Sequence, residues 1–314
     1  MKLLMPESVP AGLTLDSDLS DVQVHTYDQE APIPGEHRDA DAVVAWMNPR
    51  ERVVELAATM SHLRWVQCLG AGPESFLTAG FAPEVTITRG IGLHDVPVAE
   101  HCLALILAAA RRLDLARDAQ RVRRWATEIT GNQLTTRTAF TQIDGARFVI
   151  WGLGGIGGTV ARYLQALGGT VAAIGRSRGE RAGVPIVELD SAAPVLAEAD
   201  ALIAVLPERE NTVGIVDRRV LEAMPAGAWF INVGRGRTVV EDDLVAALRS
   251  GSIAGAALDV FAQEPLAPDS PLWLLENVIL TPHSAGGRPT GVSALVNENL
   301  RRLSSGRSLL GVIS

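Results

Sequence analysis

Four side chains suited to acid–base and anion chemistry follow apolar runs in the second half of the chain. The stretch "FINVGRGR" places Arg235 between two glycines, and "LTPHSAGG" places His283 after a proline. The stretch "ALDVFAQEPL" places Asp259 near the end of a third run, with Glu264 further along. If these runs are strands of one parallel sheet, their carboxyl ends lie at the edge where ligands bind. We therefore expect an arginine, an imidazole and a carboxylate to meet at one site.

A glycine-rich stretch, "WGLGGIGG", lies between the predicted strand "ARFVIWG" and a predicted helix that ends near Leu167. Gly152, Gly154 and Gly157 match the GxGxxG pattern of dinucleotide sites. In that pattern the glycines permit a tight turn, close approach of the backbone to a pyrophosphate, and packing of the helix on the strand. The free N–H groups at the helix N-terminus then favour phosphate. This context predicts a dinucleotide site; we also expect contacts from Gly155 and Ile156.

The next predicted strand, "TVAAIG", determines which dinucleotide is expected. NAD-binding relatives of this unit carry an acidic residue near the end of that strand, where this chain has Gly175. Arg176 and Arg178 are able to pair with a 2′-phosphate and stack on adenine, although most surface arginines simply lie in solvent. The missing carboxylate favours NADP, with NAD remaining possible. Further expected cofactor contacts are Ser177, Leu206, Pro207 and Thr212.

Composition limits the classes of protein to be considered. A chain of 314 residues is long enough for two domains, and its 47% hydrophobic and 20% charged residues are typical of a soluble globular protein. A net charge of −8 without a long basic run argues against nucleic-acid binding. The longest apolar run is too short to cross a membrane, and the N-terminus lacks the apolar core of a signal peptide. We expect a cytoplasmic protein with small-molecule partners and no membrane partner.

Two cysteines, Cys68 and Cys102, are too few for a disulfide framework and lack metal-ligand spacing. We expect both to be buried as small apolar side chains and expect no metal site. The histidines other than His283 lack a comparable setting and are expected to be structural or exposed; they are His25, His37, His62, His94 and His101.

Apolar runs alternate with helical patterns along the whole chain, which predicts an α/β fold with doubly wound parallel sheets. The N-terminal strands are predicted at "KLLMP", "DVQVHTY", "DAVVAWM", "LRWVQCL" and "EVTITRG". A single long helix is predicted from Pro97 to about Trp125, with Asp95 as its cap. An irregular arm over residues 127–141 follows, and the βα alternation restarts at Ala146.

Seven motifs occur in the order found in one enzyme family: "QCLGAGPE", "VAEHCLALILAAARR", "GLGGIGG", "FINVGRG", "LDVFAQEPL", "PLW" and "NVILTPHSAG". Over about residues 66–313 the chain resembles the NAD(P)-dependent D-2-hydroxyacid dehydrogenases, which include glyoxylate and hydroxypyruvate reductases. The resemblance implies a Rossmann nucleotide domain, residues 97–282, inserted into a flavodoxin-like substrate domain, residues 1–96 and 283–314. It also implies a homodimer formed through the long helix and the arm.

The resemblance implies roles that agree with the chemistry of the residues. His283 would protonate the carbonyl oxygen of a 2-oxo acid, because an imidazole titrates near neutral pH, and Glu264 would orient its ring. Arg235 would bind the substrate carboxylate with its planar fork of donors. Taken singly, the histidine also fits a cap and Glu264 a turn. Two further roles are implied: substrate binding by the backbone N–H groups of Ala71 and Gly72, and nicotinamide binding by Asp259.

These observations predict an oxidoreductase that uses NADPH to reduce a small 2-oxo acid, of the glyoxylate or hydroxypyruvate type, to the D-2-hydroxy acid. Two alternatives stay open. One is a phosphoglycerate dehydrogenase-like enzyme that uses NAD. The other is a dinucleotide-sensing binding protein of the corepressor type, although the combined arginine, glutamate and histidine favour an enzyme.

Overall fold

A computed structural model describes residues 1–9, 13–70, 72, 74–130 and 140–313. Ala71 and the greater part of the predicted arm therefore lie outside the described residues. The chain divides into two compact units, one formed by Met1–His94 with Arg288–Ser314 and the other by Asp95–Gly287. Which unit binds which ligand stays a prediction.

The first unit contains a five-stranded parallel sheet with the strand order β2-β1-β3-β4-β5. This order is that of flavodoxin-like folds. All five strands lie in the runs that the sequence predicts: β1 (Lys2–Pro6), β2 (Gln23–Tyr27), β3 (Ala42–Ala45), β4 (Trp65–Cys68) and β5 (Thr86–Thr88).

Helices cover both faces of this sheet. Successive strand residues point to opposite sides, so each strand contributes side chains to both faces. One face places Leu4 and Val43 against α1 (Arg50–Thr59). The opposite face packs Trp65 against α9 (Val292–Ser304), the helix predicted at the end of the chain. A short helix, α2 (Glu74–Leu77), completes the unit.

The second unit contains an eight-stranded sheet with the order β13-β12-β11-β10-β6-β7-β9-β8, in which only β8 is antiparallel to its neighbour among the strands described. Apart from β8, reading outward from β6 gives the arrangement of a Rossmann sheet. The predicted α/β fold with two doubly wound parallel sheets is confirmed. The strands are β6 (Arg147–Trp151), β7 (Thr170–Gly175), β8 (Gly179–Arg181), β9 (Val184–Glu188), β10 (Ala201–Ala204), β11 (Trp229–Asn232), β12 (Gly255–Leu258) and β13 (Val278–Leu280).

Helices cover both faces of this sheet as well. Phe148 and Ile150 of β6 face a core shared with α3 (Asp95–Arg111) and α5 (Gly155–Ala166). The alternate residues Val149 and Trp151 face the core of the other side. That side is formed by α6 (Ala193–Leu196), α7 (Arg218–Glu222) and α8 (Glu241–Ser250).

The prediction of one long helix from Pro97 to Trp125 is wrong. The helix α3 ends at Arg111, and a separate helix, α4 (Leu113–Arg121), begins after Arg112, whose φ of 48° is left-handed. Two contacts hold Arg112 there: Nη2 donates to Asp114 Oδ2 at 2.9 Å, and the guanidinium lies 6.0 Å from the centre of the Trp229 ring. Periodicity did not reveal this break, because helical residues resume at once. Asp95 is also the first residue of α3 rather than a cap preceding it.

The hairpin of β8 and β9 was not predicted from the sequence. Its turn is formed by Ala182 and Gly183, which both have positive φ, as the tight turns of hairpins require. The strand β8 is short and fully exposed, so it lacks the apolar alternation that identifies a strand. The hairpin places Glu188 beside Gly175, the last residue of β7.

Cys68 and Cys102 are both buried, as predicted, and burial raises the pKa of the Cys102 thiol to about 12. Within the described ranges, three or more histidine, cysteine or carboxylate side chains never come together in a way that would hold a metal ion. No helix in this part of the chain has the length and hydropathy of a membrane span.

Candidate active site

His283 follows β13 and forms a close pair with Glu264. Its Nδ1 lies 2.6 Å from Glu264 Oε2, while Glu264 Oε1 accepts a hydrogen bond from the backbone N–H of Phe261 at 2.9 Å. This distance is that of a hydrogen bond between the imidazole and the carboxylate. The side chain of His283 is 46% exposed. Its Nε2 makes no hydrogen bond to the part of the chain that the structure describes and is therefore the nitrogen available to a substrate.

The backbone of His283 is left-handed, with a φ of 50°, and Asp259 holds it in this conformation. The His283 N–H donates to the Asp259 carbonyl oxygen at 2.8 Å. The carboxylate of Asp259, which is 1% exposed, accepts from the backbone N–H of Ser284 at 2.9 Å and of Ala285 at 3.0 Å. It also accepts from the Thr281 hydroxyl at 2.6 Å. Asp259 thus fixes the loop on both sides of the imidazole, which is how a strained conformation persists.

Asp259 is ionised despite its burial. Burial alone would raise the pKa of this carboxyl group, but hydrogen bonds from His101, Thr281 and the backbone N–H groups of Ala285 and Ser284 together hold the pKa below its usual range. His101 Nε2 lies 3.3 Å from Asp259 Oδ1 and 3.0 Å from Thr281 Oγ1. His101 is therefore a structural partner of this carboxylate. A contact of Asp259 with nicotinamide stays a prediction.

Arg235 lies on the loop after β11 and is half-buried. Its Nη1 donates to the Gly234 carbonyl oxygen at 2.8 Å. Its own carbonyl oxygen accepts from Thr238 Oγ1 at 2.6 Å and from Asn232 Nδ2 at 3.2 Å. Asn232, buried at the end of β11, also accepts from the Gly234 N–H at 3.0 Å. These bonds fix the loop and leave most guanidinium donors available for an anion. Asn232 is part of the motif "INVGRG", but its role was not inferred from the sequence.

The loop that carries Arg235 packs directly against the loop that carries Glu264. A Cβ atom on Gly236 would overlap the backbone carbonyl group of Phe261, so only glycine allows this approach. Phe261 is also the residue whose N–H holds Glu264. The arginine loop and the carboxylate of the histidine pair are therefore joined through one backbone segment, a contact that sequence reasoning missed.

The predicted dinucleotide loop has the shape its glycines imply. Gly152 has a φ of 107°, and a Cβ on Gly157 would overlap the Gly152 carbonyl oxygen, so the helix α5 lies tightly on the turn. A Cβ on Gly154 would meet no atom within 4 Å, which leaves the N-terminus of α5 open. This turn therefore fits a pyrophosphate, with Gly155 and Ile156 in the first helical turn. Asp95, which was not predicted to lie here, packs against Gly155.

The turn after β7 presents two arginines to solvent. Arg176, Ser177 and Arg178 are exposed, and neither guanidinium has a hydrogen bond or ion pair within the described ranges. A Cβ on Gly175 would lie 2.7 Å from Ile186 Cγ2, so any side chain at this position would crowd Ile186. The backbone N–H of Arg178 donates to Glu188 Oε1 at 3.3 Å.

A third arginine, which the sequence did not single out, contacts the glycine loop. Arg181 Nη1 donates to the Leu153 carbonyl oxygen at 2.9 Å and so ties the hairpin to the dinucleotide turn. Arg181 and Arg162 line a cavity of about 370 Å³ beside Gly154 and Gly155. Arg181 was not predicted to lie here, because it is placed by the β8–β9 hairpin, which the sequence pattern did not reveal.

The remaining predicted cofactor residues follow β10. Thr212 Oγ1 donates to the Pro207 carbonyl oxygen at 2.7 Å and accepts from the Arg209 N–H at 2.8 Å, so it folds this loop on itself. Leu206 lies close to the arginine loop, since a Cβ on Gly234 would be 2.7 Å from the Leu206 nitrogen. These residues therefore border the same end of the sheet as Arg235.

A largely apolar cavity of about 660 Å³ adjoins the histidine pair. Glu264 and His283 contribute to its wall together with Phe261, Pro265, Leu266, Trp273, Leu280, Thr281 and Pro282. Neither lysine nor arginine is among these lining residues. Of the two predicted backbone donors, Ala71 lies outside the described residues, and Gly72 is half-buried in the first unit.

Comparison with known proteins agrees with this geometry. Residues 103–285 match the family model of the D-isomer specific 2-hydroxyacid dehydrogenase, NAD binding domain. A family protein from Klebsiella pneumoniae 342 is 31% identical, with 100% of this chain and 96% of that chain covered and a TM-score of 0.73. Another from Aeromonas salmonicida subsp. salmonicida A449 is 29% identical, with coverage of 100% and 98% and a TM-score of 0.82.

A third similar structure is an NADPH-dependent glyoxylate/hydroxypyruvate reductase from Sinorhizobium meliloti, in complex with NADP and sulfate. It is 26% identical, with 100% of this chain and 98% of that chain covered and a TM-score of 0.78. The matched family domain contains the glycine loop before α5, the turn after β7 with Arg176 and Arg178, and the pair of His283 and Glu264. The chain belongs to the D-isomer specific 2-hydroxyacid dehydrogenase family and is an NAD(P)-dependent oxidoreductase of that family.

Proposed function

We propose that this enzyme uses NADPH to reduce a small 2-oxo acid, of the glyoxylate or hydroxypyruvate type, to the D-2-hydroxy acid. The observation that carries the proposal is the 2.6 Å contact between His283 Nδ1 and Glu264 Oε2. It leaves Nε2 of a fixed imidazole available at the end of the sheet where the dinucleotide loop and Arg235 also lie.

The dinucleotide would be held by the glycine turn and the loops after β7 and β10. When bound, it supplies a hydride to the carbonyl carbon of the substrate. The open N-terminus of α5 binds phosphate, and the loop folded by Thr212 borders the site. Asp259 is proposed to contact the nicotinamide amide in addition to holding the loop of His283.

His283 protonates the carbonyl oxygen as negative charge develops on it. The proton leaves Nε2, so the ring must carry protons on both nitrogens before reaction and becomes neutral afterwards. Glu264 stabilises the cationic ring through Nδ1 and keeps its orientation, because its other oxygen is fixed by the Phe261 N–H. In the reverse direction the neutral ring accepts the proton from the hydroxy acid.

Arg235 binds the substrate carboxylate and polarises the carbonyl group. A guanidinium offers two parallel donors, which match a carboxylate in geometry as well as charge. The backbone N–H groups of Ala71 and Gly72 are proposed as a second element for the carboxylate. The apolar cavity beside His283 favours a substituent without charge, since neither lysine nor arginine is among its described lining residues to pair with a phosphate.

The proposed preference for NADP rests on Arg176 and Arg178, whose guanidinium groups are unpaired in the described structure. Two exposed arginines after β7 are able to bind a 2′-phosphate, and Ser177 lies between them. The similar protein from Sinorhizobium meliloti is an NADPH-dependent glyoxylate/hydroxypyruvate reductase, which supports both the proposed cofactor and the proposed substrate class.

We further propose a cytoplasmic homodimer. Leu113, Val122 and Trp125 lie on or just after α4 and are 53%, 70% and 80% exposed. An exposed apolar set of this kind is typical of an interface, and α4 belongs to the segment in which the sequence predicted one.

Steady-state oxidation of NADPH against a panel of 2-oxo acids tests the proposal. We expect turnover with glyoxylate and hydroxypyruvate, a D-configured product from hydroxypyruvate, and a higher kcat/KM with NADPH than with NADH. An Arg176→Ala variant should lose that preference. Binding of NADPH without oxidation by any acid of the panel would instead support a dinucleotide-sensing protein.

A further inference from the structure

The turn after β7 has a carboxylate beside it, that of Glu188, although β7 itself ends in glycine. Gly175 ends β7 and pairs in register with Glu188, the last residue of β9. Glu188 Oε1 accepts a hydrogen bond from the backbone N–H of Arg178 at 3.3 Å. A carboxylate from the adjacent strand therefore lies beside the position at which the sequence has glycine instead of an acid. This carboxylate lies within the segment proposed to bind the adenosine end of the cofactor.

The turn thus combines charges of both signs. Arg176 and Arg178 present their guanidinium groups to solvent, and Glu188 is exposed as well. No ion pair joins Glu188 to either arginine within the described residues, so both charges remain available. The carboxylate is directed toward the backbone of the turn by its bond to the Arg178 N–H.

A carboxylate in this place acts differently on the two dinucleotides. It repels the 2′-phosphate of NADP, and it occupies a backbone N–H that would otherwise donate to a phosphate oxygen. Toward NAD it acts in the opposite sense, because a carboxylate is an acceptor for the 2′-hydroxyl group of the ribose. The arginines and the glutamate therefore favour different cofactors.

We propose that Glu188 is a specificity-determining residue that opposes the two arginines and narrows the preference for NADP, so that the enzyme uses both dinucleotides. This inference rests on the proposed assignment of Arg176 and Arg178 to the 2′-phosphate. The choice between NADP and NAD would then depend on Glu188 at the end of β9 as well as on the arginines of the turn after β7.

Adenosine 2′,5′-bisphosphate and 5′-AMP test the inference without turnover, since they differ only in the 2′-phosphate. Calorimetric titration would give, for the wild type, Glu188→Gln and Glu180→Gln, the ratio of the affinities for the two nucleotides. Glutamine keeps the length and the acceptor oxygen of Glu188 while removing its charge. Glu180→Gln is the matched control, because Glu180 is an exposed carboxylate of the same hairpin with no hydrogen bond to the turn within the described structure.

We expect Glu188→Gln to raise the affinity ratio in favour of the bisphosphate about five- to tenfold, the effect of one charge near a phosphate in a solvent-exposed site. The kcat/KM ratio of NADPH to NADH should rise in parallel. Glu180→Gln should change either ratio less than twofold. The same ratio of bisphosphate to 5′-AMP affinity in the two variants would overturn the inference, because the position of Glu188 would then have no effect of its own.

Arg176→Ala separates this inference from the proposed cofactor site. If Arg176→Ala lowers bisphosphate affinity while Glu188→Gln leaves it unchanged, the arginine assignment stands and the role of Glu188 is wrong. If Arg176→Ala and an Arg178→Ala variant both bind the bisphosphate like the wild type, the proposed 2′-phosphate site itself is wrong, and the inference fails with it.

Discussion

The backbone N–H of His283 donates to the carbonyl oxygen of Asp259 at 2.8 Å, while the carboxylate of Asp259 accepts from the two residues that follow His283. One buried side chain at the end of β12 therefore determines the path of the neighbouring loop. The imidazole is oriented a second time through Glu264. Ring position and ring orientation thus depend on different carboxylates, and their contributions are separable by mutation.

Replacing Glu264 by glutamine should lower kcat by about a hundredfold, because an amide does not stabilise the cationic ring that donates the proton. The Phe261 N–H retains an acceptor in this variant, so the fold should be preserved. Steady-state kinetics with NADPH, together with the thermal midpoint, measure both effects. Wild-type kcat would show that the pair is not needed for proton transfer.

Replacing Arg235 by lysine should raise the KM for the 2-oxo acid about ten- to a hundredfold, since lysine keeps the charge but loses the planar pair of donors. The affinity for NADPH should change little. Substrate titrations at saturating NADPH, with a separate measurement of NADPH binding, check the prediction. A matching loss of NADPH affinity would place Arg235 in the cofactor site instead.

Replacing Asp259 by asparagine should lower the free energy of unfolding at pH 7 by about 2 kcal/mol, the cost of weakening a buried charged acceptor. The pKa of Asp259 is below the usual aspartate value of 3.8 in the folded protein, so its contribution is fully present above that value and is lost as the pH falls through the lower, folded value.

Urea unfolding of wild type and Asp259→Asn between pH 7 and pH 3 measures this contribution. The difference in unfolding free energy should stay constant from pH 7 to about pH 5 and shrink below pH 4. A difference that grows with acidification would contradict the sign of the shift.

Replacing Gly175 by aspartate should not by itself give an NAD-preferring enzyme. The new Cβ would lie 2.7 Å from Ile186 Cγ2, and overpacking of this kind costs about 1–3 kcal/mol. Combining it with Ile186→Ala removes that atom, so the double variant should regain stability relative to Gly175→Asp and prefer NADH. Thermal midpoints and kcat/KM ratios measure the two effects, with Ile186→Ala alone as the control. A Gly175→Asp variant as stable as the wild type would contradict the packing argument.

The sequence predicted the parts of the site that depend on local pattern. The predicted strand ends indicated where Arg235, Glu264 and His283 lie in the fold, and the glycine spacing indicated the turn before α5, because both signals lie within short segments. The break at Arg112 was missed, since it depends on Asp114 and on Trp229, which is far along the chain. Glu188 was missed because its approach to Arg178 requires the register of β7 and β9. Long-range packing decides such contacts, and a single sequence does not display it.

The His283→Ala variant tests directly whether His283 is the proton donor, through its effect on turnover and on NADPH binding. We expect kcat for glyoxylate or hydroxypyruvate to fall at least a hundredfold, because the proton donor is lost, and the Kd for NADPH to change less than threefold. A variant that binds NADPH and turns over at the wild-type rate would show that His283 is not the proton donor.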